Sequence, residues 1–262
     1  MTSARVPRLI PLACLAALLA GGCSKGPATP AATPAPPSTA IPVPAPPQAS
    51  TDAPVSLGDA PSYAALARGG FVTVRSKPAA GGVVDLIPPK LAWGTPTPFL
   101  VREARRANGR LWYHVLLPKR PNESSGWVRS DQVRTAPRDY RALVDLSERR
   151  LSLYRGDKLV RAFSVGIGRP STPTPTGRFF VTVRLRPPEI SRVYGAWALG
   201  LSGYSRVLAQ FGTGDGQIAL HGTSNPADLG RPVSNGCVRL DNPSISLLAG
   251  LLEPGSPVDV RA

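Results

Sequence analysis

Between residues 69 and 185 the apolar residues fall into runs too short for helices and too regular for loops, a texture that only a β-rich chain satisfies. Phe71, Val72 and Val74, then residues 83–87, 99–101 and 111–117, and finally Trp127 and Val128 are set off by Pro, Gly and Asn turns. These predict five short strands and a small barrel. Further on, the segment RALVDLSERRLSLY (141–154) alternates on both sides of a turn at Ser147–Arg149, which predicts a hairpin, with strands at 159–165 and 178–185 to follow. The period changes only near the C-terminus. There Asn242 is expected as an N-cap with Pro243 at the first helical position, and Ile245, Leu247, Leu248, Leu251 and Leu252 form the apolar face of a helix. Residues 257–260 then read as a closing strand. The fold class expected is mainly β: a small barrel followed by a larger β-rich domain with one C-terminal helix.

The amino terminus is of another kind. Residues 1–23 read as an export signal, with Arg5 and Arg8 ahead of an apolar run at 9–20 that is too short to span a bilayer. Ala20, Gly21 and Gly22 before Cys23 resemble a bacterial lipobox, which implies that Cys23 is diacylated and anchors the chain to a membrane, facing outward in the cell envelope. Residues 24–62 are rich in Pro, Ala and Thr and bury too little to offset their ordering entropy, so a disordered tether is expected. At about 3.1 Å per residue it reaches on the order of 100 Å. The domains expected beyond it span 63–136 and 139–262.

Three cysteines and two histidines make the chemistry easy to locate. Cys14 leaves with the signal and Cys23 is consumed by lipid, so Cys237 has no disulfide partner in an oxidising compartment and is either a reactive thiol or a small buried hydrophobe. It shares the stretch ALHGTSNPADLGRPVSNGCVRLDN (219–242) with His221, and a thiol becomes a nucleophile when an imidazole takes its proton. Turn residues between the two allow the chain to loop out and return, and the amides at Asn235 and Gly236 are candidate oxyanion donors. His114, alternating with apolar neighbours in the first module, reads as structural. One cysteine and one histidine do not fill a zinc site, so no metal or cofactor is expected. The net charge of +15 suits anionic wall polymers and lipid headgroups or is simply solvated surface. No basic run is interleaved with aromatics, and no nucleic-acid partner is expected.

His221-Gly222-Thr223, followed by Ser234, Asn235, Gly236, Cys237, Val238 and Arg239, resembles the active-site motif of the bacterial YkuD-type L,D-transpeptidases, with Asn235 where the family usually has a second histidine. Residues 166–168, 174–177 and 178–185 match the N-terminal half of that domain. The resemblance implies that Cys237 acylates itself on a peptidoglycan tetrapeptide stem, His221 serves as base, and a diamino-acid amine on a second stem resolves the thioester into a 3-3 cross-link. It implies substrate contacts at Arg239, Ser234, Gly222, Tyr194 and Trp197, the two aromatics lying in a flap at 187–206. Arg239 has a structural alternative, an ion pair with Asp228 or Asp241, and the aromatics have one in packing. Trp112–Val115 and Gly126–Val128 resemble bacterial SH3-like domains, which implies a wall-binding or spacer module. A monomer is expected. An L,D-carboxypeptidase with the same dyad, or a non-catalytic wall-binding lipoprotein, are the competing readings.

Overall fold

The computed structural model describes residues 53–187, 193–210 and 214–262. The expected signal, Cys23 and most of the tether lie outside them. No helix among the described residues is long and apolar enough to cross a membrane.

Seven strands form the first sheet: β1 (Ser62–Ala67), β2 (Val72–Arg75), β3 (Val83–Ile87), β4 (Pro98–Ala107), β5 (Arg110–Leu116), β6 (Ser125–Arg129) and β7 (Val133–Arg138), in the spatial order β3-β2-β6-β5-β4-β1-β7. Every pairing is antiparallel. The sequence pattern predicts five of these. β1 escapes it because SYAALA carries almost no large apolar side chain, and β7 because charged residues and Pro137 interrupt it. Ala65, Val72, Val74, Phe99, Tyr113, Val115 and Val128 pack into one core. The tether boundary at 62 needs correction. Val55 and Leu57 pack against this core and the Val55 amide donates to Ala104 O at 2.8 Å, so folded chain includes residues assigned to the linker. Two apolar side chains in an otherwise Pro- and Ala-rich stretch are enough to hold it there.

The second sheet has eight strands: β8 (Tyr140–Asp145), β9 (Arg150–Arg155), β10 (Lys158–Ser164), β12 (Gly177–Leu185), β13 (Ala198–Tyr204), β14 (Gln217–Thr223), β16 (Val238–Asp241) and β17 (Pro257–Arg261), ordered β10-β9-β8-β17-β12-β13-β14-β16. Two short strands, β11 (Ile167–Gly168) and β15 (Pro232–Ser234), pair beside it in parallel. The β8–β9 hairpin falls where the alternation places it, with Asp145 opposite Arg150 across the turn. Within the eight-stranded sheet two pairs are parallel, β8 with β17 and β14 with β16, and the second of these carries His221.

Helix α1 (Asn242–Leu251) covers the sheet through Ile245, Leu248 and Ala249, with Leu252 just beyond its end. Its cap lies one residue earlier than expected. Asp241 accepts from the Ser244 amide at 2.7 Å and from Ser244 Oγ at 2.8 Å, which frees Asn242 for another task. A second correction concerns the flap at 187–206. Ala198–Tyr204 is a core strand, buried at every position, and residues 188–192 lie outside the described ones.

The two sheets touch through a small apolar cluster in which Leu100 and Leu116 meet Phe180. Arg138 donates to Pro254 O through Nε and Nη2 at 3.0 and 2.7 Å. Arg120 reaches across to three backbone carbonyls, those of Ser205 at 2.8 Å, Leu208 at 3.0 Å and Asp215 at 2.9 Å, while its guanidinium lies 4.9 Å from the Tyr204 ring centre. Asn122 exchanges hydrogen bonds with the Tyr204 backbone at 2.9 and 2.8 Å. Both ends of the β13–β14 connection are thus held from the first module.

Candidate active site

His221 lies in β14, and Cys237 immediately precedes β16, its parallel partner. Leu220 lies opposite Val238 and His221 opposite Arg239. Because strand side chains alternate, Leu220, Val238 and Leu240 turn into the core, where each is fully buried. His221 and Arg239 therefore take the other face. Cys237 immediately precedes β16, two residues before Arg239, and strand alternation carried back by one residue assigns it to that same side, as a diagonal neighbour of His221. Strand spacing and rise put such neighbours on the order of 8 Å apart at Cα, within reach of side chains. No hydrogen bond joins the two residues among the described ones.

The imidazole is held by backbone. His221 Nδ1 lies 2.7 Å from Gly222 O, so Nδ1 carries the proton donated to that carbonyl and Nε2 is left with its lone pair. Gly222 has no side chain, so its backbone carbonyl does the orienting. The Gly222 amide is shared between Tyr194 O at 3.0 Å and Trp197 O at 3.1 Å. A Cβ on Gly222 would stand 2.3 Å from Asn242 Oδ1, so only glycine lets the 194–197 segment lie this close. Asn242 Oδ1 also accepts from the Ala196 amide at 2.8 Å. That is the task for which the residue is freed, and a side chain that reads as a cap gives no hint of it.

Burial dominates the electrostatics of both groups. His221 is 3% exposed, and its pKa falls to about 4: burial pushes it down and Arg239 adds to this, against the pull of the Gly222 carbonyl and Asp228. Burial pushes the Cys237 thiol up, opposed by a backbone hydrogen bond from Ala219 and by the Arg239 charge. Near neutrality the pair is imidazole and thiol, and the residue remains partly exposed at the surface.

The turn that presents the sulfur is locked from two sides. Ser234 Oγ donates to Cys237 O at 2.6 Å and accepts from the Gly236 amide at 3.1 Å. Gly236 has φ 114°, a conformation that side chains disfavour. From the other side the Arg169 amide and Thr172 Oγ1 donate to Ser234 O at 3.0 and 3.2 Å, and Thr172 Oγ1 also lies 3.4 Å from Asn235 Oδ1. Arg169 and Thr172 carry no motif that singles them out in the sequence; only a polar, Pro-rich loop marks the place.

The proposed contacts divide accordingly. Arg239 takes its structural alternative, pairing through Nη1 with Asp228 Oδ2 at 2.9 Å. Asp228 also accepts from Thr223 Oγ1 at 2.7 Å and Asn225 Nδ2 at 3.1 Å. Burial tends to raise the Asp228 pKa, but these hydrogen bonds and the Arg239 charge outweigh it and hold the carboxyl below its ordinary value. Ser234, 1% exposed, serves the turn, and the Gly236 amide already has Ser234 as its acceptor. Trp197 packs against the core, with Arg186 5.7 Å from its ring centre. Tyr194 sits edge-on to His221, ring centres 5.4 Å apart, and is 43% exposed, so it alone of the two aromatics presents a face beside the imidazole. Among the described residues no group of three metal-ligating side chains assembles. His114 stacks on Trp127 at 5.1 Å in the first module, well away in sequence from this site.

Residues 139–260 match the model of the YkuD family, L,D-transpeptidase catalytic domain. YkuD of Bacillus licheniformis, designated an L,D-transpeptidase, is 30% identical over 165 residues, spanning 60% of this chain and 92% of its own length. YkuD of Bacillus subtilis is 30% identical over 122 residues, 47% of this chain and 66% of that protein. Among solved structures, Bd1075 of Bdellovibrio bacteriovorus aligns at 27% identity with a TM-score of 0.39, covering 47% of this chain and 48% of that one. The chain belongs to the YkuD-type L,D-transpeptidase family, and its C-terminal half is the catalytic domain of a transpeptidase.

Proposed function

We propose that the protein forms 3-3 cross-links in peptidoglycan through a thioester on Cys237, with His221 as the base. The observation that supports this reading is the parallel pair: His221 lies in β14, Cys237 immediately precedes its partner β16, and the Gly222 carbonyl takes the Nδ1 proton and leaves Nε2 as the acceptor.

In the first half-reaction Nε2 takes the Sγ proton as Sγ bonds to the carbonyl carbon between the third and fourth residues of a tetrapeptide stem. Backbone amides around Asn235 and Cys237 face the developing oxyanion, a contribution of about 3–4 kcal/mol per donor. The carbon–nitrogen bond breaks, D-alanine leaves with the proton from Nε2, and a thioester remains. In the second, the side-chain amine of a diamino acid on another stem attacks that carbonyl and gives its proton to Nε2. Sγ departs and recovers the proton. Tyr194 offers the donor stem a flat face beside the imidazole, and Arg239, anchored by Asp228, keeps further N–H groups near the sulfur.

Because burial opposes charge on both members, the resting pair is neutral and the proton moves as the bond forms. Alkylation of Cys237 by iodoacetamide is therefore expected to rise with pH through and above the ordinary thiol range; a rate plateau from about pH 4 to neutrality would instead mark a thiolate–imidazolium pair. In the same reading Cys23 carries a lipid, the chain faces outward from its membrane, and the SH3-like first module positions the enzyme on the wall. Incubation of the purified protein with disaccharide tetrapeptide, products read by mass, tests the reaction. A 3-3 linked dimer with released D-alanine is expected; tripeptide alone would show water as the acceptor and an L,D-carboxypeptidase.

A further inference from the structure

One face of the first sheet collects cationic side chains. Arg105, Trp112 and Arg129 lie in one row across β4, β5 and β6, and Arg75 joins them through its pairing opposite Trp127. Alternation puts Arg110 on the same face, two residues before Trp112. A cleft of about 270 Å³ opens there, lined by Thr73, Arg75, Asn108, Arg110, Trp112 and Arg129 among others, and no carboxylate lines it. Part of this charge is already used: Arg75 Nη1 donates to Gly81 O at 2.7 Å, Arg129 Nε to Asp131 Oδ1 at 2.6 Å and Arg105 Nη2 to Glu103 Oε2 at 3.3 Å. A guanidinium has five N–H groups, so most remain.

An independent observation comes from the floor of the cleft. Trp112 is 5% exposed, and among the described residues its indole Nε1–H has no acceptor; Nε–H of its cross-strand partner Arg105, beside the cleft rather than in its lining, has none among them either. Buried donors in folded proteins are almost always paired, and one left unpaired costs about 1–3 kcal/mol. Two on adjacent strands, beside three guanidinium groups, mark a place built for acceptor oxygens.

We infer that this cleft binds a phosphate group. A carboxylate offers two oxygens, whereas a phosphate offers three or four in tetrahedral directions and up to two charges, which matches donors arriving from β2, β5 and β6 together. The inference concerns the first module and does not depend on the chemistry at Cys237.

The test is a titration of the isotope-labelled full chain with inorganic phosphate at constant ionic strength, reading the Trp112 indole N–H resonance by NMR, with Trp112→Phe to assign it. A saturable shift is expected. Arg110→Gln weakens it by about tenfold or more, while Arg161→Gln, on the exposed β10, leaves it unchanged. Acetate at equal concentration binds at least about tenfold more weakly. Parallel arms with glycerol phosphate and with phosphatidylglycerol vesicles separate the sources: equal site affinity for the soluble ester means a soluble or polymeric phosphate, and stronger binding to vesicles that still competes with inorganic phosphate means a lipid headgroup. A non-saturating shift, equal response to acetate, indifference to Arg110→Gln, or vesicle binding without phosphate binding would each overturn the site.

Discussion

The two sheets place their working residues by opposite means. In the first, the arginine and tryptophan face is assembled mainly by neighbouring antiparallel strands, β4, β5 and β6, whose registers follow one another through short turns. In the second, a parallel pair, β14 and β16, sets His221 opposite Arg239 with Cys237 immediately before β16, and the chain between the strands must leave the sheet and return. Antiparallel neighbours close with a turn; parallel ones need a longer crossover. The consequence is a difference in what supports each surface. The first face rests on local pairing, whereas the second depends on the excursion at 224–237 being held by Asp228, Ser234 and Thr172.

The largest effect expected short of removing the sulfur is at His221. His221→Gln should reduce kcat/KM for D-alanine release by about 10²–10⁴-fold, the usual range for a positioned base, as measured by steady-state release. The same variant sharpens the electrostatic contrast. The histidine's native pKa, about 4, lies below its ordinary 6.5, so in that interval the unfolded chain binds the proton the native one refuses. Its stabilising contribution is therefore complete above about pH 6.5 and is lost as pH falls toward about 4, and urea titrations across that window should show a flatter pH dependence for His221→Gln.

Next in size is the support of the excursion. Asp228→Asn removes a charged acceptor used by Thr223, Asn225 and Arg239, with an expected loss of about 2–3 kcal/mol by urea unfolding and a fall in activity at temperatures where the chain remains folded. If stability fell and the activity of the folded fraction did not, the excursion would not be what aligns the dyad. The smallest effect belongs to the joint between the sheets. Arg120→Ala deletes three hydrogen bonds to carbonyls, partly exposed to water, and should cost about 1–2 kcal/mol in thermal or urea unfolding while leaving the phosphate response at Trp112 intact.

Much of this architecture can be read from residue order, and the reasons for what cannot are specific. The β8–β9 hairpin is legible because Leu151 and Leu153 alternate with other residues after the polar turn at Ser147–Arg149, and Ala142 and Val144 before it face the same core. β1 is not, because alanines pack well between β4 and β7 yet carry little hydrophobic signal of their own. Cys237 and His221 stand out because thiol and imidazole are rare here and their motif is specific. Their partners do not. Arg169 and Thr172 act through a loop whose proximity exists only after β11 has paired with β15. Asn242 looks like a cap until Asp241 takes that position and the amide side chain turns to Ala196. The resemblance implies a flap at 187–206, but Gly200 and Gly203 lie in a buried strand, where small residues accommodate Val183 and Phe179.

Intact-mass analysis of the acid-quenched protein after brief exposure to disaccharide tetrapeptide, followed by peptide mapping, tests the thioester most directly. An adduct with the mass of the acyl donor minus D-alanine, carried on the peptide containing Cys237 and absent from Cys237→Ala, is the expected result. Substrate turnover by Cys237→Ala at the wild-type rate, or an adduct on any other residue, would contradict it.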